Sequence, residues 1–103
     1  MAKVYLVGIP DESIYKIGYT RGSIDKRIIP LQVGNPKKIE VFHLFETPNY
    51  LKVETWMHNR HHDKRLEGEW FQLTDEDVMN FKADCQKGHD IFQMLSESGN
   101  PFV

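Results

Sequence analysis

The sequence predicts an α+β fold in which a small three-stranded antiparallel sheet is flanked by helices. Three segments, residues 3–9, 13–19 and 39–46, are rich in the β-branched and aromatic residues that favour strands. The segments between and after them repeat apolar residues at helical spacing. Hydrophobic residues make up 40% of the chain and aromatic residues 12%, as in a compact globular protein, and a length of 103 residues predicts one domain.

The first two strands form a predicted hairpin, because a Pro-Asp-Glu turn signal at residues 10–12 separates them. This hairpin concentrates four long side chains with polar ends, which are Tyr5, Tyr15, Lys16 and Tyr19. Neighbouring residues of a strand point to opposite faces of a sheet. Tyr5 therefore lies either opposite Lys16 or on the face of the other two tyrosines, and the sequence leaves the register open.

A short helix is expected after the hairpin, with Ser23 as its N-cap. Its apolar stripe consists of Ile24, Ile28 and Leu31. Pro30 should end or kink this helix, because an interior proline removes a backbone hydrogen bond. The third predicted strand, over residues 39–46, follows.

A second helix is expected to begin between Thr47 and Asn49, since Pro48 is tolerated only in a first turn. Its apolar stripe consists of Tyr50, Val53 and Met57. A neighbouring stripe consists of Glu54, His58, His61 and Arg65. Glu54 is therefore expected to border the core.

The rest of the chain is predicted to be mainly helical after a short extended piece at residues 68–73. Thr74 and Asp77 have the spacing of a capping box that opens a helix to about Lys87. Gly88 is the expected C-terminal stop of that helix. A final short helix is predicted over residues 90–96, and Cys85 is expected to be buried and inert.

The net charge limits the kinds of partner. The chain carries 13 Lys and Arg residues and 15 Asp and Glu residues, which gives a formal net charge of −2. This charge excludes strong electrostatic binding of nucleic acid by the whole surface. The basic residues are clustered before residue 40 and again at residues 60–65. Both a local basic patch and a solvated mixed-charge surface fit this distribution.

Cysteine content and the N-terminal segment indicate the compartment. Cys85 is the only cysteine, so no internal disulfide can form, and a reducing environment is favoured. The N-terminal apolar run is short and is broken at Pro10, unlike a signal peptide or a membrane span. We therefore expect a cytoplasmic protein with no membrane partner.

Short motifs in a fixed order resemble those of the GIY-YIG nuclease superfamily. In that family a strand with Gly-Ile-Tyr is followed by Tyr-Ile-Gly, then by an arginine on the first helix and a glutamate on a later helix. Here VYLVG supplies the first motif through Tyr5, and YKIGYT supplies the second through residues 16–18. SIDKRI provides Arg27, and KVETWMH provides Glu54. The KIGYT form, the spacing of Glu54 and His58 and the GEWF ending are similar to a compact branch found in phage and bacterial proteins.

The resemblance implies a GIY-YIG-like nuclease domain over residues 1–103, with a motif core at 3–73 and a helical part at 74–103. It implies a metal-dependent endonuclease that hydrolyses phosphodiester bonds in DNA, in a bacterial cell or a phage-infected host cell. Glu54 would bind one Mg²⁺ or Mn²⁺ ion, and Arg27 would stabilise the charge on the scissile phosphate. Tyr5 would activate or position the attacking water, with a lowered phenol pKa. The supporting catalytic candidates are Lys16, Tyr19 and His58, and the expected DNA contacts are Lys16, Arg21, Lys26, Arg27, Arg60 and Lys64.

The departures from the family pattern leave an alternative function open. The chain lacks the glycine before Tyr5, and Lys16 stands where the family has the tyrosine of Tyr-Ile-Gly. The alternative is a catalytically weak or inactive module that keeps the fold and binds nucleic acid or protein. The absence of an appended binding domain indicates either low specificity or a partner protein that supplies targeting.

The candidate residues also have ordinary structural roles as alternatives. Tyr5 can be a packed strand residue, Arg27 a surface ion pair and Glu54 an ordinary acid of a helix surface. The Glu54 and His58 pair is also compatible with zinc. Other expectations are that Trp56 belongs to the core, that Glu69 is a supporting acid or a surface charge, and that His61 and His62 are exposed or face nucleic acid.

Overall fold

The computed structural model describes residues 2–99 and has an α+β architecture. Its strands are β1 (Lys3–Ile9), β2 (Ile14–Thr20), β3 (Glu40–Glu46), β4 (Arg65–Glu67) and β5 (Trp70–Gln72). Its helices are α1 (Asp25–Gln32), α2 (Tyr50–Arg60), α3 (Asp75–Met79) and α4 (Phe81–Glu97). The sheet therefore has five strands, and the predicted three-stranded sheet was wrong. The last four residues of the predicted helical part at 74–103 lie outside the described residues.

The additional strands follow α2 after a 3-10 turn at His62–Lys64: β4 was not predicted, and β5 lies within the short extended piece predicted at residues 68–73. The helical stripe predicted to reach Arg65 ends with α2 at Arg60, and Arg65 opens β4 instead. Gly68 has a φ of +55°, a conformation that glycine adopts readily, and it turns the chain so that β4 and β5 pair as an antiparallel hairpin. Each of these strands has only three residues, and all of β4 is exposed, so neither shows an apolar alternation.

The strand order is β3-β1-β2-β5-β4, and every neighbouring pair is antiparallel. In the β1–β2 hairpin Tyr5 lies directly opposite Gly18, and Val7 lies opposite Lys16. Tyr5 therefore shares a face of the sheet with Lys16, two residues along the partner strand. Tyr15 points to the other face.

Each face of the sheet has its own apolar cluster. Against one face pack α2 and α4, and the fully buried residues of this cluster include Leu6, Ile17, Met57, Phe71 and Phe81. Against the other face packs α1, which covers Tyr5, Val7, Ile9 and Ile39 with Ile24, Ile28 and Leu31. The predicted apolar stripes of α1 and α2 thus both face the sheet, from opposite sides.

Several helix boundaries differ from the sequence prediction. Ile24, and not Ser23, is the N-cap of α1. The helix predicted from Thr74 to Lys87 is divided at Asn80 into α3 and α4, and α4 also contains the separate helix predicted over residues 90–96.

Helix α1 continues through Pro30 to Gln32. Gly88 lies inside α4, and an added Cβ there would lie 2.7 Å from Cδ1 of Trp56, so this glycine makes room for the indole instead of ending a helix. Both hydrogen bonds of the predicted capping box at Thr74 and Asp77 are present. Within residues 2–99, no helix combines the length and the apolar character needed to cross a bilayer.

Candidate active site

A cleft of about 220 Å³ lies at the end of β2 where α1 and α2 approach the sheet. Its lining, here called the central cleft, consists of Tyr5, Lys16, Tyr19, Arg27, Glu54 and Glu69. Five of the six catalytic candidates predicted from the sequence therefore line one cleft. The sixth, His58, lies one turn after Glu54 on α2 and belongs to the same cluster of polar groups.

The backbone of Ile17 positions two elements of the site. Strand β5 pairs with β2 only at residues 14–16, so the edge of β2 is free of a strand partner from Ile17 onward. The Ile17 N–H donates to the carbonyl oxygen of Glu69 at 3.2 Å, and its carbonyl accepts from Nε2 of His58 at 2.8 Å. One residue therefore fixes both the β4–β5 turn and α2, which bring Glu69 and Glu54 toward each other.

Gly18 creates the space for the phenol of Tyr5. The two residues oppose each other across β1 and β2, and an added Cβ on Gly18 would lie 2.5 Å from Cζ of Tyr5. The ring of Tyr5 therefore lies across the glycine, and its side chain is buried while still lining the central cleft. Gly8 and Tyr15 form a second pair of this kind on the opposite face.

Lys16 occupies the position of the second tyrosine of the GIY-YIG pattern and makes an ion pair. Its Nζ lies 2.7 Å from Oε2 of Glu69 and 5.9 Å from the ring centre of Trp70. The side chain of Lys16 is only 17% exposed, so this pair is partly shielded from water. Lys16 thus brings a positive charge next to the two carboxylates of the cleft.

The carboxyl group of Glu54 lies in an environment that disfavours its negative charge. Its Oε2 is buried and has no hydrogen-bond partner among residues 2–99. The pKa of Glu54 is raised to about 7, first by burial and then by the nearby charge of Glu69, against the lowering effect of Lys16 and Arg27. A buried carboxylate without a donor is a position where a cation or a proton is favoured.

A metal ion fits the donor atoms that surround Glu54. One ligand atom from each of Glu54, His58 and Glu69 lies within 4.8 Å of the other two. Since a carbonyl oxygen only accepts, the hydrogen bond to Ile17 places the proton of a neutral His58 on Nε2 and leaves Nδ1 as the acceptor. Two carboxylates beside one imidazole form an oxygen-rich set that suits Mg²⁺ or Mn²⁺ better than zinc.

The phenol of Tyr5 differs from the sequence expectation. Burial raises its pKa to about 12, with Glu69 adding to the rise, Arg27 opposing it and Glu54 adding to it. The lowered phenol pKa expected for Tyr5 is therefore wrong for the metal-free protein. At neutral pH the hydroxyl is protonated and is a hydrogen-bond donor.

Two arginines and two tyrosines continue from the cleft across the surface. Arg27 lies over the ring of Tyr19, Tyr19 packs against Tyr50, and Arg21 lies over Tyr50. We call this row the arginine–tyrosine stack. In the described part of the chain neither arginine has an acidic partner within 4.0 Å, so the surface ion pair considered for Arg27 is absent there. Lys26 lines an adjoining cavity of about 210 Å³ together with Tyr5, Lys16 and Arg27.

The remaining predicted DNA contacts lie apart from this row. Arg60 pairs with Asp84 of α4 at 3.0 Å, and Lys64 pairs with Asp77 of α3 at 2.6 Å. Both cations therefore tie the end of α2 to the C-terminal helices. His61, expected to be exposed or to face nucleic acid, is only 4% exposed, and burial lowers its pKa.

Glu69 is the site residue that the sequence left undecided. From the sequence it is expected only to be a supporting acid or a surface charge, because an acid next to Trp70 has no periodic signal. The missed β4–β5 hairpin is the reason, since the turn of this hairpin carries Glu69 to the end of β2. Trp56 and Cys85 behave as expected: Trp56 packs against the core and donates to the Asp84 carbonyl, and Cys85 is fully buried.

Comparison with known protein families finds one match. The family of the T5orf172 domain matches residues 3–86, which include every residue of the central cleft. This domain is found in phage and bacterial endonuclease-like proteins, in loose agreement with the GIY-YIG resemblance, and it indicates a nuclease-like or DNA-binding class. No curated protein and no solved structure gives a significant match. The chain belongs to the T5orf172 domain family.

Proposed function

We propose that this protein is a metal-dependent endonuclease that hydrolyses phosphodiester bonds in DNA. The observation that carries the proposal is the convergence of three groups in the central cleft: the orphaned carboxylate of Glu54, the free guanidinium of Arg27 and the protonated phenol of Tyr5. Phosphodiester hydrolysis needs a cation at the phosphate oxygens, an oriented water and a proton acceptor. The cleft offers residues for each of these tasks.

Glu54 and Glu69 are the residues that would hold a divalent cation, with His58 beside them. When bound, Mg²⁺ or Mn²⁺ would polarise a phosphoryl oxygen and favour a more acidic water. The ion pair of Lys16 with Glu69 screens the charge of this carboxylate from the charge of Glu54.

Arg27 would bind the scissile phosphate from the α1 side of the cleft. Its planar guanidinium can donate two parallel hydrogen bonds to phosphate oxygens and so stabilise the added charge of the transition state. Removal of one such preorganised donor typically costs about 3–4 kcal/mol of transition-state stabilisation. Arg27 is exposed and can reach a backbone that runs along the surface.

Tyr5 and His58 would have different roles toward the attacking water. The phenol of Tyr5 is protonated at neutral pH, so it would orient the water or a phosphate oxygen by donating a hydrogen bond. His58, held by the Ile17 carbonyl, would accept the proton at Nδ1. The role of Tyr5 is thus positioning in this proposal, and activation is assigned to His58.

The alternative function, a binding module with little or no activity, is favoured by one observation. Lys16 already occupies an oxygen of Glu69 that a metal ion would need, and this leaves Glu54 as the carboxylate whose Oε2 has no hydrogen-bond partner among residues 2–99. A weaker metal site would follow. Such a module would keep the surface arginines and bind DNA without cutting it.

A plasmid-nicking assay separates the two functions. Supercoiled plasmid is incubated with the protein in Mg²⁺, in Mn²⁺ and in EDTA, and a Tyr5→Phe variant and an Arg27→Ala variant are tested beside it. Endonuclease activity predicts nicking only with a divalent cation and a reduction of at least about 100-fold in rate for Arg27→Ala. DNA binding without nicking in either metal would support the alternative.

A further inference from the structure

The arginine–tyrosine stack extends from Arg27 and Tyr19 of the central cleft to Tyr50 and Arg21, which the proposed cleavage chemistry does not use. Cζ of Arg27 lies 6.0 Å from the ring centre of Tyr19. The ring centres of Tyr19 and Tyr50 are 5.3 Å apart with a tilt of 41°, and Cζ of Arg21 lies 6.0 Å from the ring centre of Tyr50. Cations and π-systems thus alternate over four side chains that are partly or fully exposed.

We propose that the arginine–tyrosine stack is a subsite for an unpaired nucleobase of the DNA strand that is cut in the central cleft. This inference rests on the proposed function and adds a substrate class to it, which is DNA with a single-stranded segment at the cleavage position. Bases of a duplex have both faces covered by their neighbours, so only an unpaired or extruded base can stack on a tyrosine.

The chemistry of the four side chains matches a nucleobase with its phosphates. Bases of single strands stack on aromatic rings and on guanidinium planes, and arginines beside such rings neutralise the adjoining phosphates. Arg21 and Arg27 make no ion pair with any acid in residues 2–99, so their charge is available to a polyanion. A protein ligand with acidic groups would not require the ring faces.

The position of Tyr50 suits a base next to the scissile phosphate. Tyr50 and Glu54 are four residues apart on α2, a rise of about 6 Å. A strand of DNA rises by about 3.4 Å per nucleotide, so the ring lies within roughly two nucleotides of a phosphate held at Glu54. Tyr19 connects the two places, because it lines the central cleft and packs on Tyr50.

The gap between Cζ of Arg21 and the ring of Tyr50 is about 1 Å narrower than a base between them needs. A base between two stacking partners requires about 7 Å, which is twice a stacking separation of about 3.4 Å. The distance from Cζ of Arg21 to the Tyr50 ring centre is 6.0 Å. Arg21 is exposed, so a small movement of its side chain opens the gap.

Fluorescence quenching of 2-aminopurine tests this subsite without cleavage. A single-stranded DNA oligonucleotide that contains one 2-aminopurine is titrated in EDTA with the full-length protein and with Tyr50→Leu, Tyr50→Phe and Leu51→Ala variants. Leu51 is the matched control, because it adjoins Tyr50 on α2, is 53% exposed and is not in the stack. Circular dichroism and the melting temperature verify that each variant is folded.

The expected results depend on the ring at position 50. The unchanged protein should quench the fluorescence, Tyr50→Phe and Leu51→Ala should behave alike, and Tyr50→Leu should lose the quenching and bind about 5- to 150-fold more weakly. The matched duplex should bind more weakly and without quenching. Arg21→Ala should weaken single-strand binding severalfold. Because this side chain is exposed, the variant is expected to fold, and it tests the subsite even if Tyr50→Leu does not fold.

Two results would overturn the subsite. One is that folded Tyr50→Leu and Arg21→Ala each quench and bind single-stranded DNA as the unchanged protein does. The other is that the duplex binds and is quenched as strongly as the single strand. The proposed function fails separately, if no plasmid or oligonucleotide is cut in Mg²⁺ or Mn²⁺ while the quenching still depends on Tyr50. Cleavage that needs Glu54 but shows no dependence of binding on Tyr50 would leave the nuclease proposal standing and remove the subsite.

Discussion

Tyr5 and Gly18 face each other directly across β1 and β2, and the phenol ring of Tyr5 covers the glycine. The Tyr and Gly of the two sequence motifs are therefore parts of one packing unit. The absence of a side chain at Gly18 lets the ring lie flat, and this brings the phenol to the central cleft. The spacing of the two motifs follows from the register of the hairpin.

Gly18→Ala is expected to destabilise the fold and to displace Tyr5. An added Cβ would lie 2.5 Å from Cζ of the ring, and such overpacking typically costs about 1–3 kcal/mol of unfolding free energy. Urea denaturation of both single variants and of the double variant with Tyr5→Ala measures the coupling. In the Tyr5→Ala background the cost should nearly vanish, and additive costs would show that the ring does not rest on Gly18.

Gly88→Ala is expected to lower the stability although alanine is the better helix former. In an exposed helix interior this change stabilises by about 1 kcal/mol. Here the new Cβ would lie 2.7 Å from Cδ1 of Trp56, so the sign should reverse. Thermal denaturation compares Gly88→Ala in the native and the Trp56→Leu backgrounds. A higher melting temperature with Trp56 in place would contradict the packing of α2 on α4.

Long elements with a strong pattern could be predicted from the sequence, whereas β4 and its pairing with β5 could not, although an extended piece was predicted where β5 lies. The hairpin of β1 and β2, the strand β3 and the stripes of α1 and α2 follow from apolar periodicity over seven residues or more. The strands β4 and β5 have three residues each and are defined by their pairing and by Gly68. The position of Gly88 inside a helix could not be predicted either. The glycine leaves room for Trp56, and that contact is visible only in the folded structure.

Part of the candidate site could likewise be predicted from the sequence. Tyr5, Arg27 and Glu54 could be named from motif order alone, and the structure brings them into one cleft. The pKa of Tyr5 could not be predicted, because it depends on burial against Gly18 and on the charge of Glu69. Glu69 itself reaches the cleft only through the hairpin that the sequence did not reveal.

Glu54 is expected to titrate near neutral pH in the metal-free protein. Its folded-state pKa of about 7 lies above the ordinary value of 4.5, so the folded state binds the proton more tightly. The stability that this group contributes is complete below pH 4.5 and is lost as the pH rises through about 7. NMR titration of the carboxyl carbon measures the pKa directly. Glu69→Gln should lower it and Lys16→Met should raise it, whereas a pKa near 4.5 would contradict the buried environment.

Glu54→Gln should in turn stabilise the metal-free protein above pH 7. The amide removes a buried negative charge next to Glu69, and after allowance for solvent screening the gain is about 1–2 kcal/mol. The gain should disappear as the pH falls below 4.5, where the carboxyl of Glu54 becomes protonated in the unfolded state as well as in the folded state. Equal stability of the two proteins at pH 8 would show that Glu54 is well solvated.

DNA binding is expected to depend on salt through a small patch. Arg21, Lys26 and Arg27 are the exposed cations next to the central cleft, while Arg60 and Lys64 are engaged by acids. Three phosphate contacts predict a slope of about −3 for log affinity against log salt on duplex DNA. Fluorescence anisotropy across a salt series gives the slope, which Arg21→Ala should reduce by about 1. An equal reduction by Arg60→Ala would place the patch elsewhere.

Cation-dependent nicking by Glu54→Gln and by a matched control tests the central claim most directly. Glu46, an exposed acid at the end of β3, provides the control as Glu46→Gln. With supercoiled plasmid in Mg²⁺, the unchanged protein and the control should nick at the same rate, and Glu54→Gln should show no nicking above the EDTA background while circular dichroism and a cooperative melting transition show that it is folded. Nicking by folded Glu54→Gln at the rate of the control would contradict the assignment of the central cleft as the active site.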